Sequence, residues 1–327
     1  MPQYANVSDV PLSLAVFLAS DSYDYNTDIN TISATTLLKP LRQLILGSRV
    51  PTEDASVDLV GMLSSRMGAA IHDGIERAWK TNHHLAMEAL GIPKRVRDMV
   101  VINPEPGTDL TDKIPVYLEV RSEKKIGKWT VTGKFDFVGD GRVEDFKSTS
   151  VWSAISGNKD QDYIYQGSIY RWLRPDIITK DQMAIQWLFT DWSASQARQD
   201  PSYPQSRHQQ KIFDLLPVNQ VDAFIRRKLE LIEQYWDAPE RDIPYCTDEE
   251  LWRSDPVFKY YKNPQKTQRS TKNYESIQEA RIRFIEDGSV GLIKEVPGQV
   301  KACKYCPGFS LCTQKDELIL NGDLVFD

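Results

Sequence analysis

The stretch GKFDFVGDGRVEDFK, residues 133–147, constrains the fold more than any other part of this chain. Apolar and polar residues alternate on both sides of a Gly-Asp-Gly break, the chemistry of two strands joined by a tight hairpin turn. Side chains alternate along a strand, so Val143, Asp145 and Lys147 share one face of the second strand while Glu144 and Phe146 take the other. In the simplest register Asp136 lies near Asp145. Two carboxylates and one ammonium then converge where a strand is otherwise apolar. Neighbouring carboxylates repel unless a cation sits between them, so the arrangement invites a divalent metal. A lysine beside such a metal suits phosphodiester hydrolysis. Taken alone, an Asp-x-Lys tripeptide reads as an ordinary surface ion pair; the surrounding sequence shifts that reading.

The 327 residues leave room for one large domain or two modest ones, and 41% hydrophobic content supports a buried core. No apolar run approaches the roughly 20 residues of a membrane span. The short apolar stretch 11–19 follows Asp9 rather than a basic segment, which argues against a secretory signal and reads as a core segment. A net charge of −6 argues against a protein that coats nucleic acid non-specifically, but a nuclease needs only a local basic track. Candidate tracks are Lys94–Arg97, Arg121–Lys128 and Lys259–Lys272, each of which also fits a solvated surface.

The hydrophobic pattern predicts, within 31–50, an N-capped start followed by a short helix that stops at Gly47, and a longer helical region over 58–91. A β-rich segment over 115–148 follows, then a helix over 160–173, strands over 183–190 and 209–216, and a helix over 218–236. Helix, β-meander, helix and strand in this order predict an α/β core, a mixed central sheet flanked by helices. Beyond Pro244 the chain turns aromatic and basic, placing a soft boundary near residue 240, between regions 1–240 and 241–327.

Gly68, His72 and Glu76 recur every four residues and stack along one helical face. Gly68 allows close packing on a sheet, and His72 offers a neutral imidazole nitrogen; a lone helical histidine is also an ordinary core or surface residue. After the hairpin, Gln166 and Tyr170 are i and i+4 on the predicted helix, with Gln161 and Tyr165 as a competing pair one residue out of phase.

In order, these elements read G-x3-H-x3-E (Gly68, His72, Glu76), G-x2-D (Gly133, Asp136), D-x-K (Asp145, Lys147) and Q-x3-Y (Gln166, Tyr170). This pattern, over roughly residues 60–175, resembles the RecB-like branch of the PD-(D/E)XK nucleases, and the opening ISATTLLKPLRQLIL is similar to the helix that begins such domains. The resemblance implies a restriction-endonuclease-like core in which His72, Asp136 and Asp145 bind Mg²⁺ or Mn²⁺. The Phe146 carbonyl would complete that site and Lys147 would orient or activate the attacking water. Gln166 and Tyr170 would help position DNA, with Glu76 a supporting carboxylate. Hard oxygen ligands suit Mg²⁺ and Mn²⁺, and an imidazole tilts preference toward Mn²⁺.

Three of the four cysteines form Cys303-x2-Cys306-x5-Cys312, and Cys246 is the only other one. Clustered cysteines without a secretory signal point to metal rather than disulfides. The run is similar to the iron–sulfur staple of AddB-type helicase-nucleases and Cas exonucleases, which implies a 4Fe–4S cluster. In those families the first cysteine precedes the nuclease core, whereas here the stretch around Lys39–Arg42 holds none and Cys246 follows the core. A Zn(Cys)₄ site fits a local loop as well. In either case the C-terminal region is metal-stapled.

The leading expectation is a metal-dependent DNA nuclease, an exonuclease on free single- or double-stranded ends, acting in recombination, repair or phage DNA processing. Its setting would be the cytoplasm of a bacterium or phage-infected cell. No phosphate-binding G-x4-GK[ST] loop is present, so a helicase or recombinase partner would be a separate chain. The alternative is a non-catalytic DNA-end-binding or assembly protein that retains the fold. A third possibility is a nuclease acting on RNA or on structured junctions.

Overall fold

In the computed structural model of the protein, the chain reverses at Asp140-Gly141, where φ is 49° and 77°. Gly139 pairs with Arg142 across this two-residue loop, as the hairpin chemistry requires. Residues 3–20, 28–51 and 56–326 are described by the structure.

The elements run β1 (Gln3–Ala5), α1 (Leu12–Ala19), β2 (Thr31–Ser33), α2 (Ala34–Leu37), α3 (Leu41–Arg49) and β3 (Ser56–Asp58). Next come α4 (Leu63–Ala89), α5 (Lys94–Arg97), β4 (Val100–Ile102), β5 (Ile114–Ile126), β6 (Trp129–Gly139) and β7 (Arg142–Thr149). Then follow α6 (Val151–Ile155), α7 (Asp160–Leu173), β8 (Gln182–Phe189), α8 (Ala194–Gln199), β9 (His208–Asp214) and α9 (Val218–Tyr235). The chain closes with β10 (Val257–Tyr261), β11 (Lys272–Tyr274), α10 (Ile277–Glu286), β12 (Leu292–Val296) and α11 (Thr313–Leu320). Two compact units result: Met1–Leu38 with Thr52–Leu229, and Lys39–Pro51 with Glu230–Asp327.

The first unit is built on a mixed sheet in the order β4-β5-β6-β7-β8-β9, with β2 added beside β6. The pairs β4/β5, β7/β8 and β2/β6 are parallel and the other neighbours antiparallel. Helix α4 meets β7 through Phe146 and Ser148, whereas Asp145 meets Gln166 of α7. Adjacent strand residues point to opposite faces, so α4 and α7 flank opposite faces of the sheet. A Cβ at Gly68 would stand 3.3 Å from Ser148 Oγ, consistent with the close helix–sheet approach expected there. Helix α7 buries Tyr163 and every residue from Gln166 to Leu173, and Gly133 admits it: a Cβ there would come within 2.8 Å of Leu173 and 2.9 Å of the Tyr170 ring.

The hairpin has a short seam. Strands β6 and β7 pair only over 137–139 and 142–144; beyond that, β6 takes β2 as its neighbour at 130–132 while β7 continues beside β8 to Thr149. The two strands therefore part immediately below Asp136 and Asp145. Side-chain alternation also breaks here. Phe137 packs on Trp79 of α4 (ring centroids 5.1 Å apart), yet Phe135, two residues earlier, packs on Tyr170 of α7 (6.3 Å). Opposite the break, Glu119 of β5 carries a φ of 54°.

Two expected elements differ. Within 31–50 the anticipated capped start is present, Ser33 Oγ accepting from Thr36 N (3.1 Å), but it follows strand β2 and opens only the short α2; Pro40 restarts the chain into α3, which runs past Gly47 to Arg49. The apolar stretch 11–19 is helix α1, not core: only Leu18 is buried, while Leu12 and Val16 are exposed. A helix apolar all round can bury only the side that has a neighbour.

In the second unit α10 lies against the sheet β11-β10-β12. Its other organiser is Arg42 of α3, buried among the C-terminal residues. Arg42 donates to Ile243 O (2.7 Å) and from Nε to Cys312 Sγ (3.2 Å), and pairs with Glu240. Ile45 and Leu46 pack with Ile243 beside it. These contacts explain why residues 39–51 group with the C-terminal unit rather than with their sequence neighbours. Among the described residues no helix is long and apolar enough to cross a membrane.

Candidate metal centre

Where β6 and β7 separate, the backbone N–H of Phe146 loses its ladder partner, and the Asp136 carboxylate replaces it, accepting at Oδ2 (3.0 Å). This bond pins Asp136 against β7. From α4, His72 donates from Nε2 to the Phe146 carbonyl (2.8 Å), which turns Nδ1 toward Asp136 Oδ2 (3.4 Å) and Glu119 Oε1 (3.8 Å). The ligand atoms of His72, Glu119 and Asp136 lie within 4.8 Å of one another, a group that could hold a metal ion. Because the carbonyl accepts from Nε2, Nδ1 is the ring atom that faces the two carboxylates, an orientation that also suits a metal-binding histidine. The Phe146 carbonyl thus orients the histidine.

Glu119 was not among the sequence-derived candidates. An acid enclosed by Leu118 and Val120 in a strand was the available signal. Its role depends on its positive φ and on the strand opposite, neither of which a residue pattern reports.

Asp145, 1% exposed, lies on the α7 side. Lys147 Nζ is 2.6 Å from its Oδ2, and Gln166 Nε2 donates to its Oδ1 (3.3 Å) and to the Tyr170 hydroxyl (2.8 Å). Gln166 and Tyr170 are therefore the inward pair of α7. The Asp145 oxygens engage Lys147 and Gln166, and the compact three-ligand group contains Glu119 in place of Asp145. Glu76 lies one turn beyond His72, in an ion pair with Lys80 (2.5 Å).

The electrostatics match a site built around a cation. Hydrogen bonds to Asp136 and Glu119 push His72 up to about 10, so an imidazolium occupies the place of the positive charge when none other is bound. Burial opposes ionisation of Glu119, but His72 and Lys134 outweigh it and hold its carboxyl below the usual range. Burial raises Asp145 to about 6, against the pull of Lys147. Burial also disfavours the Lys147 ammonium, yet Asp145 and Asp136 overcome this and raise its pKa. Two carboxylates and one imidazole are a donor set for Mg²⁺ or Mn²⁺.

The four cysteines belong to the second unit. Burial pushes Cys246 up to about 12 and Cys303 up to about 11, with added repulsion from Cys306 and Cys312. Among the described residues, however, no three sulfurs lie within 4.8 Å of one another. A tetrahedral zinc needs them about 3.8 Å apart, given Zn–S bonds of about 2.3 Å. The place where the resemblance would set a first cysteine holds Arg42, in contact with Cys312.

No protein-family profile matches this chain, and no curated protein does. Among solved structures, one described as SSO0001 aligns with a TM-score of 0.39 at 15% identity, covering 64% of this chain and 79% of that one. A phage-related exonuclease from Haemophilus somnus 129PT aligns with a TM-score of 0.26 at 16% identity, covering 37% of this chain and 60% of that one.

Proposed function

We propose that the protein is a metal-dependent nuclease with a RecB-like, restriction-endonuclease-like core that hydrolyses phosphodiester bonds in linear DNA. The convergence of His72, Glu119 and Asp136 beside the buried Asp145–Lys147 pair carries this reading. Mg²⁺ or Mn²⁺ held there would supply Lewis-acid stabilisation of charge developing on a phosphate. The chain's own residues do the positioning. Asp136 and Glu119 set the ligand atoms, the Phe146 carbonyl aims His72, and Gln166 braces Asp145. Asp145 in turn holds the Lys147 ammonium at the edge of the site, where it can donate to a phosphate oxygen or orient the attacking water. Action on free ends, alongside a separate helicase or recombinase in a bacterial or phage-infected cytoplasm, belongs to the same reading.

The cysteines of the second unit are proposed to hold a structural 4Fe–4S cluster, with zinc as the alternative. The Cys303-x2-Cys306-x5-Cys312 spacing supports the cluster reading.

Purified protein with Mn²⁺ or Mg²⁺ should degrade linear DNA, and Lys147→Ala or Glu119→Ala should slow this by at least ~10²-fold. Undiminished degradation by both variants would remove the site assignment. DNA binding without cleavage under any metal would make the protein an end-binding factor instead.

A further inference from the structure

The chain is acidic overall, at −6, yet residues 257–274 carry Lys259, Lys262, Lys266, Arg269 and Lys272 and not one Asp or Glu. The structure gathers these on one arm of the second unit: strands β10 and β11 and the loop between them. The loop is built, not slack. Lys262 N donates to Thr271 Oγ1 (2.9 Å), Thr271 N to Tyr260 O (2.7 Å) and Gln265 N to Asn263 Oδ1 (3.0 Å). On the other side of β10, Lys294 of β12 is the direct cross-strand partner of Lys259. Like charges placed opposite each other destabilise a sheet. Neither lysine has a carboxylate partner among the described residues, nor do Lys266 and Arg269, while Lys262 reaches Asp287 only at 3.5 Å and Lys272 lies over the Tyr274 ring.

In the other basic tracks carboxylates take up part of the charge: Lys94 pairs with Asp98 and Arg97 with Glu88, while Lys124, like Lys272, lies over an aromatic ring. Unneutralised cations on an ordered arm, held at a cost to the sheet that carries them, fit a polyanion with regularly spaced charge. We infer that the β10–β11 arm, with Lys294, is a binding surface for the phosphate backbone of nucleic acid. Its occupant here is DNA, which rests on the nuclease reading above. The contacts are to phosphates, so binding is independent of sequence and strongly salt-dependent.

The test is equilibrium binding of the full-length protein, in chelator so that nothing is cleaved, to a DNA duplex, an RNA duplex of the same sequence, and polyglutamate. The triple variant Lys266→Ala, Arg269→Ala, Lys272→Ala should weaken duplex binding roughly 10–100-fold near 50 mM salt and flatten the log–log salt slope by about 2–3. A second variant, Lys294→Glu, pairs a carboxylate with Lys259 and should raise the melting temperature while weakening DNA binding, an opposition that a purely structural role would not produce. Preference for the DNA duplex is expected, and preference for the RNA duplex would overturn the assignment of DNA as the occupant. Unchanged duplex affinity and salt slope in both variants, or binding confined to polyglutamate, would overturn the proposal. Those results would leave the hydrolysis measurements on Lys147 and Glu119 standing, because the arm contributes none of those residues.

Discussion

Asp136 performs two tasks with one oxygen: it replaces a missing ladder acceptor for Phe146 N–H and it faces the imidazole of His72. Its position is therefore set by the backbone it serves, which is how a flexible acid is held still for a metal. Glu119→Gln should weaken Mn²⁺ binding at least ~10-fold by calorimetry, and His72 in that variant should titrate nearer its ordinary range by NMR. The proton on His72 also competes with the cation, so Mn²⁺ affinity should rise with pH. In the metal-free protein the raised value means that His72 stabilises the fold fully below its ordinary 6.5, and that this contribution fades as pH climbs through about 10. Thermal melts from pH 6 to 10 should show that decline in the wild type and a flatter profile in His72→Ala; parallel profiles would exclude the linkage.

At the scale of elements, the site exists because β6 and β7 pair briefly and then part. The tight turn brings Asp136 and Asp145 to the same level, β2 and β8 draw the strands apart, and α4 and α7 supply residues from opposite faces. Helix α7 must approach closely for Gln166 to reach Asp145, and Gly133 provides the space. Gly133→Ala should cost about 1–3 kcal/mol in denaturant unfolding, since the new Cβ meets the Tyr170 ring and Leu173 within 2.9 Å. Most of this frame was legible in the residue pattern. The Asp-Gly turn and the shared face of Asp145 and Lys147 follow from turn chemistry and a period of 2, and a period of 3.6 pairs Gln166 with Tyr170, although only the packing of α7 decided between that pair and Gln161–Tyr165. The change of face between Phe135 and Phe137 was not, because it depends on which strand each half of β6 finds as neighbour.

At the scale of the whole molecule, the boundary between units crosses the sequence order. Residues 39–51 leave the N-terminal unit because Arg42 is buried against Glu240, Ile243 and Cys312. Arg42→Ala strands Glu240 and a buried carbonyl, and should destabilise the C-terminal unit by about 3 kcal/mol, read as a separated early unfolding transition. Anaerobic preparation should yield a brown protein with about four irons per chain, lost in Cys303→Ser; one zinc instead would replace the cluster with the smaller site. By itself the sequence determined the hairpin, the α/β alternation, the shared face of Asp145 and Lys147 and the cysteine spacing, since each rests on local periodicity, turn chemistry or residue order. Only the tertiary structure decided that Glu119 lies beside His72 and Asp136, that Asp145 instead engages Lys147 and Gln166, and that Arg42 is buried within the second unit. Each of these needs residues far apart in the chain to meet, through a pairing energy that no single segment carries.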